Sequence, residues 1–180
     1  MSDEGAPEAG DVVETVERWL RERIVGLGLC PYAAGPLAAG RVRLAVAPGD
    51  LEARLTALYV EAERLIATDP AACETVLVLL PDAPKSFSLF YDETELAERL
   101  VGEATGDSLQ VVTFHPRFRF AESSASDPAN GVNRSPVALW QLLREASVTR
   151  VVEADPDGVD AIPGRNRDLL RRMTGEIGES

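Results

Sequence analysis

Thr75-Val76-Leu77-Val78-Leu79-Leu80 is a continuous apolar run closed by Pro81, with a helical pattern on either side of it. Such a run has no polar face to turn to water, so it reads as a strand covered on both sides. A strand of that kind needs a sheet with layers packed against it.

The flanking sequence supplies the layers. Leu51, Leu55, Leu58, Tyr59, Ala62, Leu65 and Ile66 recur at helical spacing behind Asp50. Before them, Arg41 to Val46 alternates polar and apolar as a strand does, and Pro48-Gly49 ends it. Asp92-x-x-Glu95 has the form of a capping box and opens a helix with Leu96, Ala97, Leu100 and Val101 on one side. Leu109 to Phe114 reads as a third strand. An earlier helix behind Asp11 carries Val12, Val16, Trp19, Leu20, Ile24 and Leu27, and residues 29–40 form an irregular link. Ser135-Pro136 reads as a helix start, running through about Ser147. Residues 148–153 fit a helix extension or a short fourth strand, and a last helix is expected from about Pro163 to Met173.

Strands alternating with helices predict an α/β fold, a small single-domain layer structure. Its sheet would have three strands, or four, largely parallel, with helices packed on it. The alternative is a mixed-sheet α+β sandwich. The domain is expected over residues 11–174, between a disordered acidic tail at 1–10 and a flexible C-terminus at 175–180.

Composition narrows the function classes. One His and two Cys among 180 residues are too few for a disulfide framework. They are also too few for a zinc site of four cysteines, or of two cysteines and two histidines. A net charge of −12 argues against nucleic acid and against an anionic membrane surface. No apolar run reaches transmembrane length, and the first residues lack the basic and apolar regions of a signal peptide, so the cytoplasm is the expected location. The charge is uneven. From His115 to Arg172 there are nine Arg and eight acids, a net of +1, so the rest of the chain carries −13.

Ligands of open α/β sheets bind at the carboxyl ends of strands. There the third strand ends at Phe114, followed by the only His, His115, and by Arg117. The loop that follows runs to Asn133, far longer than the usual ~5 residues, and its middle, Glu122 to Gly131, reads as mobile. At its far end stands Asn133-Arg134-Ser135-Pro136. With Ser135 as N-cap and Pro136 at the first helical position, the free N–H groups and Arg134 would make an anion site. Arg165 and Asn166 repeat the Arg-Asn theme at the start of the last helix. Cys30 could pair with His115 as nucleophile and base. Against this, the negative end of the first helix raises a thiol pKa, and a parallel layout would end that helix at the sheet face opposite His115.

Leu29-Cys30-Pro31-Tyr32-Ala33, Phe114-His115-Pro116, Asn133-Arg134-Ser135-Pro136, Leu143-Arg144-Glu145-Ala146-Ser147 and Ile162-Pro163-Gly164-Arg165-Asn166 follow one another in this order. Together they resemble a bacterial family, number fourteen-fifteen among the domains of unknown function, over about residues 11–174. The resemblance implies a stand-alone cytosolic protein and no particular activity, cofactor or catalytic residue.

Three readings follow from the residues. The first is an enzyme acting on a small carboxylate or phosphate. In it His115 is the acid–base group, Cys30 a second catalytic candidate, and Arg117, Asn133, Arg134, Ser135, Arg165 and Asn166 the substrate-binding residues. The second is a non-catalytic regulatory module that binds such an anion. The third is a metal or haem protein using Cys30, His115 and carboxylates such as Glu122 or Asp127.

Overall fold

The computed structural model describes residues 9–177. Among these residues lie four strands, β1 (Val42–Val46), β2 (Thr75–Leu79), β3 (Leu109–Phe114) and β4 (Leu139–Arg144), in one sheet of order β1-β2-β4-β3. β1 and β2 are parallel. β4 runs antiparallel to both β2 and β3, so β1, β2 and β3 all point the same way. The result is a mixed α/β sheet, the alternative arrangement rather than the largely parallel one. The three expected strands are present, and the fourth is inserted between two of them.

The helices are α1 (Ala9–Trp19), continued by a π-helical segment Leu20–Val25, then α2 (Ala34–Ala38), α3 (Leu51–Ala67), α4 (Phe87–Thr105), α5 (Glu145–Ala154) and α6 (Pro156–Ile177). α3 and α4 belong to the crossovers β1–α3–β2 and β2–α4–β3, which step the same way across the sheet and therefore lie on one face. Leu58, Ala62 and Leu65 of α3 and Phe90, Ala97 and Val101 of α4 pack there on Val76, Val78, Trp140 and Leu142. The other face is covered by Val12, Val16 and Trp19 of α1, Leu20 and Ile24 of the π-helical segment, and Leu170 of α6, over Leu77, Leu79 and Leu139. All five residues of β2 are buried, as its unbroken apolar run requires.

Several boundaries differ from expectation. α1 starts at Ala9, so Asp11 lies in its first turn rather than capping it. α4 starts at Phe87, which puts Asp92 and Glu95 inside the helix and leaves no capping box. A short helix, α2, interrupts the 29–40 link. Residues 148–153 belong to α5 and form no strand. α6 starts at Pro156 with Pro163 inside it. The largest correction is β4. No helix starts at Ser135; its Oγ donates to the Val137 carbonyl at 2.5 Å, and the chain enters the sheet at Leu139. The slot between β2 and β3 decides this. Leu139 and Leu142 are wholly buried, and so is Trp140, whose Nε1 donates to Thr94 Oγ1 at 3.0 Å. The described elements extend slightly beyond 11–174 at both ends. Residues 1–8 and 178–180, parts of the expected acidic tail and flexible C-terminus, lie outside the described residues.

Candidate functional site

His115 follows β3 directly, as expected, but it is 2% exposed. Its ring is stacked on Phe90, with centroids 5.1 Å apart, and Phe87 packs beside it. Nδ1 accepts the backbone N–H of Arg117 at 3.0 Å. Nε2 therefore carries the proton and donates it to the Pro84 carbonyl at 3.0 Å. Burial holds the pKa of this imidazole below its usual value; the Pro84 bond opposes the shift and the nearby Arg117 charge adds to it. The result is a neutral ring with both nitrogens engaged by backbone.

The residues expected to bind an anion are largely engaged in the same way. Asn133 Nδ2 donates to the Thr113 carbonyl at 3.0 Å, and the Asn133 carbonyl accepts from His115 N–H at 3.1 Å. Arg134 Nε reaches the Phe118 carbonyl at 3.2 Å and its Nη2 the Ala125 carbonyl at 2.7 Å. Without a helix at Ser135, there is no dipole or row of free N–H groups for Arg134 to lean over. Arg117 is exposed beside His115.

The long loop carries its own bonds rather than a free middle. Asn130, wholly buried, accepts from Phe120 N–H at 3.0 Å and Ser123 Oγ at 2.7 Å, and donates to the Ser124 carbonyl at 2.8 Å. Asp127 caps a 3-10 turn at Pro128–Val132 through Ala129 N–H at 2.9 Å.

The loop, the end of the first helix and α6 meet on one side. Trp19 packs edge-on to Phe114 at 5.6 Å, and its Nε1 donates to the Arg134 carbonyl at 3.1 Å. Trp19 therefore sits beside the end of β3, on the face of the sheet opposite Phe90 and the His115 ring stacked on it. Beyond it, Asn166, 1% exposed, donates to the Leu29 carbonyl at 2.7 Å, and Arg165 donates to the Gly28 carbonyl at 2.5 Å. The expected Arg165-Asn166 pair thus sits inside α6 and grips the segment before Cys30, which is exposed. With both ring nitrogens of His115 occupied, neither is open to the Cys30 thiol.

Sequence reasoning missed the charges around the 3-10 turn. A side chain at Gly131 would lie 3.4 Å from Leu170 and 3.8 Å from Arg23 Nη2, so the Arg23 guanidinium lies close to the turn. On the α6 side, Arg171 Nη2 pairs with Asp127 Oδ2 at 3.0 Å. The Ala129 N–H bond, the Arg171 bond and, more weakly, the Arg167 charge hold the Asp127 carboxyl below its usual range. Arg23 and Arg167 have no ion pair among the described residues. The Arg167 and Arg171 spacing, one helical turn, was a readable signal; the approach of Arg23 was not.

Among the described residues no group of three or more His, Cys, Asp or Glu is placed to hold a metal ion. Asp127 is bound to Arg171 and His115 to backbone. The chain matches the family described as "Protein of unknown function (DUF1415)" over residues 11–178. It belongs to that family. No curated protein and no solved structure matches it. In this DUF1415 chain the motifs at Cys30, His115, Asn133 and Arg165 lie around one edge of the sheet, tied by side chains bonded to backbone.

Proposed function

We propose that the protein is a non-catalytic module that binds a small carboxylate or phosphate. The site is the arginine rim where the π-helical segment, the 3-10 turn and α6 meet. The observation that carries this reading is the Asp127 carboxylate, held by Arg171 at 3.0 Å and influenced by the Arg167 charge, on a 3-10 turn whose Gly131 lies close to the Arg23 guanidinium; Arg23 and Arg167 have no ion pair among the described residues. That rim already stabilises one anionic carboxylate, and two guanidinium groups remain to take another. The His115 geometry supports a binding module over an enzyme, because the neutral ring has no nitrogen to give to a substrate. Arg134, Asn133 and Asn166 keep the loop and the helix end in place.

Thermal melts in phosphate, sulfate and citrate test the proposal. A ligand at a hundred times its Kd stabilises by about 2.7 kcal/mol. That protection should fall sharply in Arg23→Ala with Arg167→Ala, while the melting of the free protein changes little. Equal protection in wild type and double variant, or the same effect from chloride at matched ionic strength, would sink the reading.

A further inference from the structure

The opposite face of the molecule carries an apolar groove that neither the core nor the arginine rim explains. Arg54 of α3 pairs with Glu93 of α4, so the two helices run side by side in the same direction, each returning antiparallel to the strands. Between their outer sides lies an open cleft of about 700 Å³ lined by Leu51, Leu55, Thr56 and Tyr59 of α3 and Leu100 of α4, with Asp50 and Glu52 at its end. Of the large hydrophobic residues that stand exposed on these helices, Tyr59 and Ile66 of α3 and Leu89 and Leu96 of α4 fall on the groove side, at helical spacing from Leu55 and Leu100. Scattered exposed apolar residues are ordinary, but a contiguous patch with a polar rim marks an interaction surface.

The rim states the chemistry of the occupant. Asp50 and Glu52 line the groove, and Glu63, Asp92 and Glu103 stand exposed beside it at helical spacing from Leu55 and Leu100, against Lys85, Arg64 and Arg99 on or beside the two helices. Arg64 is already bound to Glu61. Two copies meeting through this face would bring like charges together. The segment at residues 1–8 carries Asp3, Glu4 and Glu8 and no basic side chain, so it has the same sign as the rim.

We infer that the α3–α4 groove docks a basic amphipathic helix of another protein. The Leu51, Leu55 and Tyr59 spacing of one turn per step accepts apolar anchors at i, i+4 and i+7, and the acids face the partner's Lys and Arg at the edges. The lining from Leu51 to Tyr59 runs roughly 12 Å along α3, about two turns, which seats the apolar anchors of an amphipathic helix.

The test uses a fluorescent amphipathic peptide of leucine and lysine, about 18 residues long (~27 Å as a helix), with leucines along one face. A scrambled peptide of the same composition separates docking from plain charge attraction. Fluorescence anisotropy with the full chain should show the amphipathic peptide binding at least about tenfold more tightly than the scrambled one, and more weakly as salt rises. Tyr59→Ser with Leu96→Ser, both at surface positions, should remove that preference without moving the melting temperature by more than a few degrees. Glu63→Gln with Glu103→Gln should weaken binding and flatten its salt dependence. Equal binding of the two peptides, or no effect of the Tyr59 and Leu96 substitutions, overturns the inference. So does a wild-type dimer in solution that Tyr59→Ser dissociates, which would assign the groove to a second copy. Displacement of the bound peptide by a synthetic peptide of residues 1–8 also overturns it, giving the groove to the chain's own segment.

Discussion

At the scale of single residues, the molecule uses polar side chains to fix backbone. His115 is the clearest case, because its neutral form satisfies both Pro84 and Arg117. Its pKa is lowered on folding from an ordinary value of 6.5. The unfolded chain therefore takes up a proton first as pH falls, and stability present above about pH 6.5 declines below it until the folded state titrates as well. Asp127 is lowered from an ordinary 3.8, so it acts at lower pH, whereas Glu98 is raised above 4.5 and contributes with the opposite sign, favouring the folded state as pH falls through its window. Denaturant melts between pH 7 and 5.5 should show stability falling, and His115→Phe should flatten the curve across that window. A wild-type curve already flat there would contradict the neutral buried ring. Arg134 makes a second prediction. Its bonds to the Phe118 and Ala125 carbonyls hold one flank of the loop. Arg134→Ala should cost about 1–3 kcal/mol and expose the loop to protease, while anion protection in thermal melts persists. Loss of anion protection with unchanged stability would instead return Arg134 to the ligand site.

Among the elements, the α3–α4 pair is joined by a buried charge. Arg54 is 3% exposed, sends Nη2 to both Glu93 oxygens at 2.7 Å and Nη1 to the Gly49 and Asp82 carbonyls, and leaves Nε without a partner among the described residues. Removing one partner of a buried pair strands the other charge, so Glu93→Ala should destabilise by about 3–5 kcal/mol. Arg54→Met with Glu93→Leu should cost clearly less, and urea titrations of the three chains would decide it. β4 supports another expectation. Paired on both sides, its Trp140 and Leu142 amides should exchange with deuterium as slowly as those of β2. Fast exchange there would place β4 outside the stable sheet. β1 to β3, α3 and the body of α4 were legible in the sequence because each has an unmixed period. β4 was not. Leu139 to Leu143 is a short apolar run that fits helix or strand alike, and Ser135-Pro136 imitates a helix start. Only the gap between β2 and β3, a tertiary feature, selects the strand. The site divides the same way. Its motifs stood out as a set, but an Asn, His or Arg bonded to a carbonyl looks in sequence just like one awaiting a ligand.

The whole molecule is closed by contacts between its two ends. Asn166 reaches the Leu29 carbonyl across 137 positions of sequence, and Arg165 does the same for Gly28. Asn166→Ala leaves a buried carbonyl without a donor, at about 1–3 kcal/mol. For a chain of this size each kcal/mol lowers Tm by roughly 2–4 °C, so a drop of several degrees in calorimetry is expected. An unchanged Tm would mean that α6 does not hold the first helix. The charge is divided along with the architecture, with arginines on the rim side and acids over α3 and α4. The sheet order has a further consequence, for the chain as it is made. β2 and β3 cannot be joined until β4, the last strand in sequence, is available to lie between them. At about 5–20 residues per second, a ribosome needs roughly 2–6 s to extend the chain from the end of β3 at Phe114 to the end of β4 at Arg144. Over that interval the nascent chain carries two apolar strands with open edges, the condition under which neighbouring chains on one message add to each other's sheets.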